Sequence, residues 1–495
     1  MTVVVASFVV FLALFALVGI ASHRRARGDA ADYLVASHSV QPWLVGLSAV
    51  ATNNSGYMFI GVIGYTHAVG LPSIWLMVGW ILGDVVASSL IHRKLRIATE
   101  RSHAETFAGI LSQWQGTEFR IYRRLAAVIS LLFLGSYAAA QLSAGSKALS
   151  VLFGWAPATG ACVGAGIVVA YCFAGGIRAS IWTDAAQSFV MVVAMGILFA
   201  VSIDALGGFA AAWQALGEVS PTYRSWMPVD LGLGELWGPA LFIVGWLFAG
   251  FSVAGQPHIM VRFMALDRPE RTNRARLYYY AWFVVFYFLA NGVGLLSRVL
   301  LPVSESFDAE LALPTLALQL LPDPMVGLIL AGVFAATMST ADSLILSCAG
   351  NLSEDLVPRE RLPLMLAKGA TLATTAVALG IALFAEQSVF ALVIASWAVM
   401  AAAFAPLLTV YALGGRPSEG VCIAMLVVGV GSVWLWKQFS ILADYYEGIL
   451  GILLGLAVYG VGRWLGWARG PAPASSKDPA GSVQAEIAPP ARGTP

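Results

Sequence analysis

The chain is predicted to be an all-α polytopic membrane protein of about thirteen transmembrane helices. Three observations carry this: of 495 residues, 59% are hydrophobic and only 11% charged; mean hydropathy is +0.79; and apolar runs of about 20 residues, the length that crosses a bilayer, recur from one end to the other. The net charge of +1 creates no field for a nucleic acid, so the expected partners are a small-molecule solute and membrane lipid, with no nucleic acid. Cys162, Cys172, Cys348 and Cys422 all stand inside apolar runs without metal-ligand spacing and read as packing residues.

The first span, 2–22, has no basic residue before it and Arg24, Arg25 and Arg27 after it, so it reads as a retained helix rather than a secretory leader. The second, 41–66, is interrupted by polar residues. The third, 72–91, leads into Arg93, Lys94 and Arg96, and the fourth, 125–153, follows Arg120, Arg123 and Arg124. Arg178 separates the fifth, 158–177, from the sixth, 180–205. The seventh, 236–261, is broken at Gly255, Gln256 and Pro257, where proline removes a backbone donor. His258 and Arg262 follow, and His258 is expected to be structural and near the inner interface. An arginine cluster from Arg262 to Arg276 precedes the eighth span, 277–300. The ninth, 324–350, carries a second polar stretch, and 362–385, 389–413, 418–438 and 447–466 complete the set.

Charge orients these spans. With the amino terminus outside, all of the 28 Lys and Arg except Lys147, Arg224, Arg298 and Lys437 fall on the inner side, as the positive-inside rule requires. The segments 218–235 and 305–323 are acidic and contain proline, which suits an external surface, while 467–495 reads as a disordered cytoplasmic tail too short for a catalytic or sensor domain. The expected location is the plasma membrane.

Two polar stretches define the candidate site. In the second span, Thr52, Asn53, Asn54, Ser55 and Gly56 interrupt an apolar run; open backbone at membrane depth is tolerated only where it lines a cavity or holds an ion. In the ninth, Ala336, Ser339, Thr340 and Ser343 recur at i, i+3, i+4 and i+7 and share one helix face, with Asp342 beside it. At 1.5 Å per residue, Ala51–Asn54 lie roughly 15–20 Å from the inner face and Ala336–Thr340 roughly 15–21 Å, so both stretches are level near the midplane. An intramembrane carboxylate costs about 3 kcal/mol on insertion scales and marks a functional position. Asp184 either shares an ion with Ser343 or is a helix-start charge favoured by the macrodipole. Asp84 is expected to pair with a helix or loop group.

At these residues the chain resembles the solute:sodium symporter family, and particularly its sodium/proline-symporter branch. The matching blocks are Asp32–Leu34, Leu47–Gly56 (LSAVATNNSG), Ile181–Gln187, Gly255–Phe263 (GQPHIMVRF) and Ala335–Ser343 (AATMSTADS), the last continued by Leu352–Asp355. The resemblance implies a leucine-transporter-type core of two inverted five-helix repeats at 41–205 and 236–413, one helix before it (1–22) and two after (418–466). It also implies Na⁺ as coupling ion, held by the carbonyls of Ala51, Asn54 and Ala336 and the hydroxyls of Ser339 and Thr340. A second ion would use Asp184, Ser339, Asp342 and Ser343, and the solute would sit near Asn53, Ser55, Gly56, Tyr57, Tyr137 and Gln141.

The chain departs from the proline symporters, which carry Asp at the place of Asn53, Trp at Tyr57, and Trp and Tyr at Ala249 and Val253. Fewer rings and one acid fewer imply a larger, less charged pocket and a different solute, an amino acid or a carboxylate. Proton coupling through Asp184 or Asp342 is the alternative mechanism, and a transporter-like sensor the alternative role. No HExxH or GxSxG motif is present, so no enzyme is expected.

Overall fold

A computed structural model describes residues 2–23, 30–229, 231–301, 307–357, 364–384 and 388–467. Arg24, Arg25, Arg27, Arg359, Arg361 and the tail lie outside them. Among the described residues helix is the one regular secondary structure, with no strand and one isolated backbone bridge, Val40 to Leu266. Ten helices are long and apolar enough to cross a membrane by length and composition. Shorter apolar helices at Pro157–Ala170 and Gly448–Trp464, and the interrupted segment 42–69, account for the remaining predicted spans.

In order these are α1 (Thr2–His23), α2 (Pro42–Gly56) continued by a wide turn (Tyr57–Val62) into α3 (Ile63–Val69), α4 (Ile74–Ser102), α5 (Arg120–Phe153) and α6 (Pro157–Ala205). Then follow α7 (Gly234–Phe251), α8 (Pro257–Met264), α9 (Thr272–Leu300), α10 (Asp323–Gly350), α11 (Leu364–Phe384), α12 (Val389–Ala412), α13 (Glu419–Trp436) and α14 (Gly448–Trp464). The predicted fifth and sixth spans are one helix, α6, bent at Gly176, whose φ is +57°. A glycine in the left-handed region lets the chain turn without ending the helix.

The two breaks fall where an inverted repeat requires them, in the first span of each half. One lies at Ser55 between α2 and α3; the other is the 3₁₀ turn Ser252–Gly255 between α7 and α8, where Pro257 occupies the first turn of α8. The halves are pinned together at one end: Val40 N–H donates to Ala265 O (3.1 Å) and Asp267 N–H to Val40 O (2.9 Å). Between the breaks runs α10, packed against α1, α2, α5 and α6 and almost wholly buried.

Two of the motif blocks serve this architecture. Asp32 accepts from Arg178 (2.5 Å) and Tyr33 O–H donates to Cys172 O (3.2 Å), tying the 30–38 segment to α6. Asp355 takes Arg123 Nε at 2.6 Å and the Thr106 hydroxyl at 2.9 Å, fastening the end of the α10 segment to the start of α5. The crossing of α4 and α7 is close enough that a Cβ on Gly83 would stand 1.9 Å from Leu247 O. Gly83→Ala is therefore expected to destabilise the protein by about 1–3 kcal/mol through overpacking, read as a lower unfolding temperature in detergent. A wild-type unfolding temperature would mean the two helices part freely.

Candidate ion and solute site

The break in α2 is narrower than the sequence implied. The helix runs unbroken through Ala51–Asn54, and only Ser55 leaves it, at φ 44° and ψ −178°. For a residue with a side chain this conformation costs about 1–3 kcal/mol and persists only where the surroundings impose it. Here they do: Ser55 Oγ accepts from Tyr57 N–H (3.1 Å) and from the Tyr137 hydroxyl (3.2 Å), and Gly56 N–H donates to Gln141 Oε1 (2.8 Å). Gly56 is required by space, because a Cβ would lie 2.4 Å from Thr337 Cγ2. The second polar stretch is not an interruption, since α10 is continuous through Ala335–Ser343. Its hydroxyls satisfy themselves on carbonyls, so the helix needs no break to present them.

The two stretches meet. Ser339 Oγ lies 3.4 Å from Ala51 O and 3.1 Å from Ala336 O, and Thr340 Oγ1 donates to Thr52 O at 2.9 Å. Four of the five expected ion ligands are thus in one buried cluster of neutral oxygens, a donor set that suits a hard monovalent cation. Asn54 is placed differently: its amide turns back on Val50 O (2.7 Å) and its carbonyl accepts from Tyr57 N–H. Thr52 O, which the sequence reading missed, takes its position beside Thr340. Putting the break at Ser55, the one residue preceding glycine in the polar run, would have identified it.

One turn away is a charged cluster. Arg262, only 1% exposed, donates to Ser48 Oγ (3.0 Å), Ser180 Oγ (3.1 Å), Asp184 Oδ2 (3.2 Å), His258 O (2.5 Å) and Ser343 Oγ. Asp342 Oδ1 accepts from Ser180 (3.1 Å) and Ser343 (3.0 Å). The residues expected around a second ion are therefore gathered, but around a guanidinium. Two carboxyl groups face one arginine, and Asp184 Oδ1 is buried without a partner.

His258 is not near a surface. It is fully buried, edge-on to Tyr137 (5.5 Å between ring centres) and Trp397 (6.3 Å), because the α7–α8 break faces the one in α2. Asp84 does pair with helix groups: it accepts the hydroxyls of Tyr279 (2.6 Å) and Tyr280 (2.9 Å) on α9 and the amide of Asn53 (3.4 Å).

Of the expected solute residues, Ser55, Gly56, Tyr137 and Gln141 form one hydrogen-bonded group, and Asn53 faces α4 and α9. The Tyr57 ring lies beside Trp80 (5.8 Å) and Phe390 (5.3 Å), and Trp80 meets Trp246 (6.1 Å) and Trp397 (5.1 Å). Rings from α4, α7 and α12 thus pack at the level of Tyr57. No periodicity distinguishes such rings from ordinary apolar packing.

Phe390 stacks on Tyr65 (5.0 Å, 11°), and cavities of about 650 and 400 Å³ lie on either side of this pair. Lys147 borders the larger and pairs with Glu310 (2.7 Å) and Asp308 (2.9 Å). Glu310 also accepts from the Ser388 hydroxyl (2.7 Å) and Phe390 N–H (2.9 Å) at the start of α12. On the Arg262 side a cavity of only about 20 Å³ remains beside Ser343. A further cavity of about 500 Å³, lined by Lys94, Arg101, Trp114 and Arg416, lies at the other end of α4 and α12, so there is space at both ends of the helices.

Comparison with known proteins places the chain in a family. The profile of the family described as the sodium:solute symporter family matches residues 33–415. The sodium/proline symporter of Escherichia coli (strain K12) is 28% identical, over 92% of this chain and 91% of its own length. The high-affinity proline transporter PutP of Bacillus subtilis (strain 168) is 27% identical, over 89% of this chain and 93% of its own. Among solved structures, the substrate-bound outward-open state of a Na⁺-coupled sialic acid symporter has a TM-score of 0.80 at 18% identity, covering 95% of this chain and 99% of that one. Mhp1, a nucleobase-cation-symport-1 family transporter in a closed conformation, has a TM-score of 0.58 at 17% identity, covering 88% and 94%. These structural likenesses show a shared fold.

Proposed function

Because the chain belongs to the sodium:solute symporter family, a family of multi-pass membrane transporters rather than enzymes, we propose that it carries a small organic solute into the cytoplasm by Na⁺-coupled alternating access. The observation that carries this reading is the meeting of the Ser339 and Thr340 hydroxyls with the carbonyls of Ala51 and Thr52, within one helical turn or so of the break at Ser55. Na⁺ joins the first half of the core to α10 there and steadies the strained turn beside which the solute binds. The amino terminus lies outside and the carboxyl terminus in the cytoplasm of the plasma membrane, in accord with the distribution of Lys and Arg. The Lys147 end then faces outward and the Arg262 end inward.

In the transport step the solute enters past Tyr65 and Phe390, settles between Tyr57 and the α7–α8 break, and leaves after the Arg262 cluster parts. The membrane potential supplies about 2.3 kcal/mol per charge per 100 mV, to which the Na⁺ gradient adds. The excess carboxyl group and the bare Asp184 Oδ1 beside Arg262 support a second cation in the same cluster.

Uptake into proteoliposomes tests the reading. An inward Na⁺ gradient is expected to drive accumulation of a radiolabelled amino acid or carboxylate, and a pH gradient in Na⁺-free buffer is expected not to. Accumulation driven by the pH gradient alone would replace Na⁺ by the proton.

A further inference from the structure

Hydrogen-bond polarity around the break constrains the chemistry of the solute. Asp84 is fully buried, and among the described residues no cation lies within ion-pairing distance of it. Its carboxylate accepts the Tyr279 hydroxyl on Oδ2 and the Tyr280 hydroxyl on Oδ1. Tyr280 is in turn linked to Arg276 through Ser88 (2.6 and 3.0 Å), so donors run toward Asp84 from that side as well. A phenol has one hydrogen, and Tyr279 spends it on Asp84. Toward Asn53 its oxygen therefore only accepts, and Asn53 must turn its NH₂ group to it, as the structure shows. Asn53 Oδ1 is left buried without a partner.

Gln141 is fixed in the opposite sense. Its Oε1 accepts Gly56 N–H, so Nε2 is the group left buried and unpartnered. An orphaned buried polar atom costs about 1–3 kcal/mol, and a pair of opposite polarity on the two sides of one strained turn is explained by a ligand that answers both. Asn53 Oδ1 requires a donor and Gln141 Nε2 an acceptor. The carboxylate of Asp84, which also accepts the Asn53 amide directly at 3.4 Å, adds a negative field on the donor's side.

We propose that Asp84, acting through Tyr279 and Asn53, is a positioning residue that selects an α-amino-acid zwitterion, with its ammonium group on Asn53 Oδ1 and its carboxylate on Gln141 Nε2. This rests on the symport reading and deepens it: a carboxylate without an amine would face the oxygen of Asn53, and a neutral polyol would leave the field of Asp84 unanswered.

The test uses the full chain in detergent with saturating Na⁺ and follows thermal unfolding. The probes are common L-α-amino acids, each paired with its deamino acid, its decarboxylated amine, and glucose as a neutral control. At least one amino acid is expected to raise the unfolding temperature, with its deamino acid and its amine each binding about 10-fold or more weakly, because a site built around paired polar groups rejects analogues that leave them bare. In Asp84→Asn the preference for amino acid over deamino acid is expected to fall by about 10-fold, because an amide at position 84 no longer dictates the direction of the Tyr279 hydroxyl. Asp84→Glu is expected to restore it. Tyr279→Phe removes the phenol step and leaves only the 3.4 Å contact of Asn53 with Asp84, so it is expected to lose part of the preference, and it decides the matter should Asp84→Asn fail to fold.

A deamino acid or glucose binding as tightly as every amino acid, stabilisation by none of the amino acids, or full discrimination in Tyr279→Phe would each overturn the proposal. Stabilisation by Na⁺ alone, measured before any solute is added, reports separately on the symport reading and distinguishes its failure from that of the relay.

Discussion

Replacing Ser339 and Thr340 together by alanine is expected to abolish Na⁺-driven uptake and to raise the Na⁺ concentration for half-maximal thermal stabilisation by about 100-fold or more. On the proposed reading each hydroxyl removed is an oxygen that would face the cation, and a polar contact to a charged group contributes about 1.5–3 kcal/mol. Two such losses amount to at least about two powers of ten at 1.4 kcal/mol per tenfold. The fold itself should survive, because the same hydroxyls stabilise Thr52 O and Ala51 O by only about 1 kcal/mol each in the absence of the ion. A Na⁺ titration of unfolding temperature, at constant ionic strength with choline as the replacing cation, separates the two effects. An unchanged Na⁺ midpoint in the double variant would remove the ion from this cluster.

The second large effect is expected at Arg262. Its guanidinium makes five contacts with groups on α2, α6, α8 and α10, and Arg262→Ala leaves Asp184 and Asp342 without a fixed cation. Breaking a buried pair by removing one partner costs about 3–5 kcal/mol. A mobile cation should recover part of this, so the stability of Arg262→Ala is expected to rise more steeply with Na⁺ than that of the parent protein. Arg262→Lys keeps the charge but loses the planar fork of donors and should fall between the two. Wild-type stability and a wild-type Na⁺ dependence in Arg262→Ala would show that the arginine does not serve as the counter-charge.

Much of the fold was legible because a membrane helix announces itself in one dimension. Among the described residues every predicted span from 2–22 to 447–466 is largely helix, and the one merger, at Gly176, joins two adjacent spans. That the two polar stretches meet was also legible, since helical rise puts Ala51–Thr52 and Ser339–Thr340 at one level. Other features were not. Arg262 looked like an interface arginine because arginine ordinarily marks the inner end of a span; nothing local reveals that Asp184, 78 residues earlier, waits for it. His258 was misplaced for the same reason. Asn53 read as the loss of a charge, whereas Asp84, 31 residues on, stands directly behind it. The aromatic surface at Tyr57 escaped notice because Trp80, Trp246, Trp397 and Phe390 sit in four apolar stretches where a ring carries no distinguishing pattern.

The order of apolar runs determined the type of the helices and where along the chain they lie, because transfer into lipid depends on each segment's own composition and length. Only the tertiary structure decided which hydroxyl meets which carbonyl, which arginine faces the paired acids, and where α2 turns. Those outcomes depend on directed, short-range contacts between residues tens to hundreds of positions apart, and a buried polar atom takes its partner from whatever the packing of several helices brings within about 3 Å.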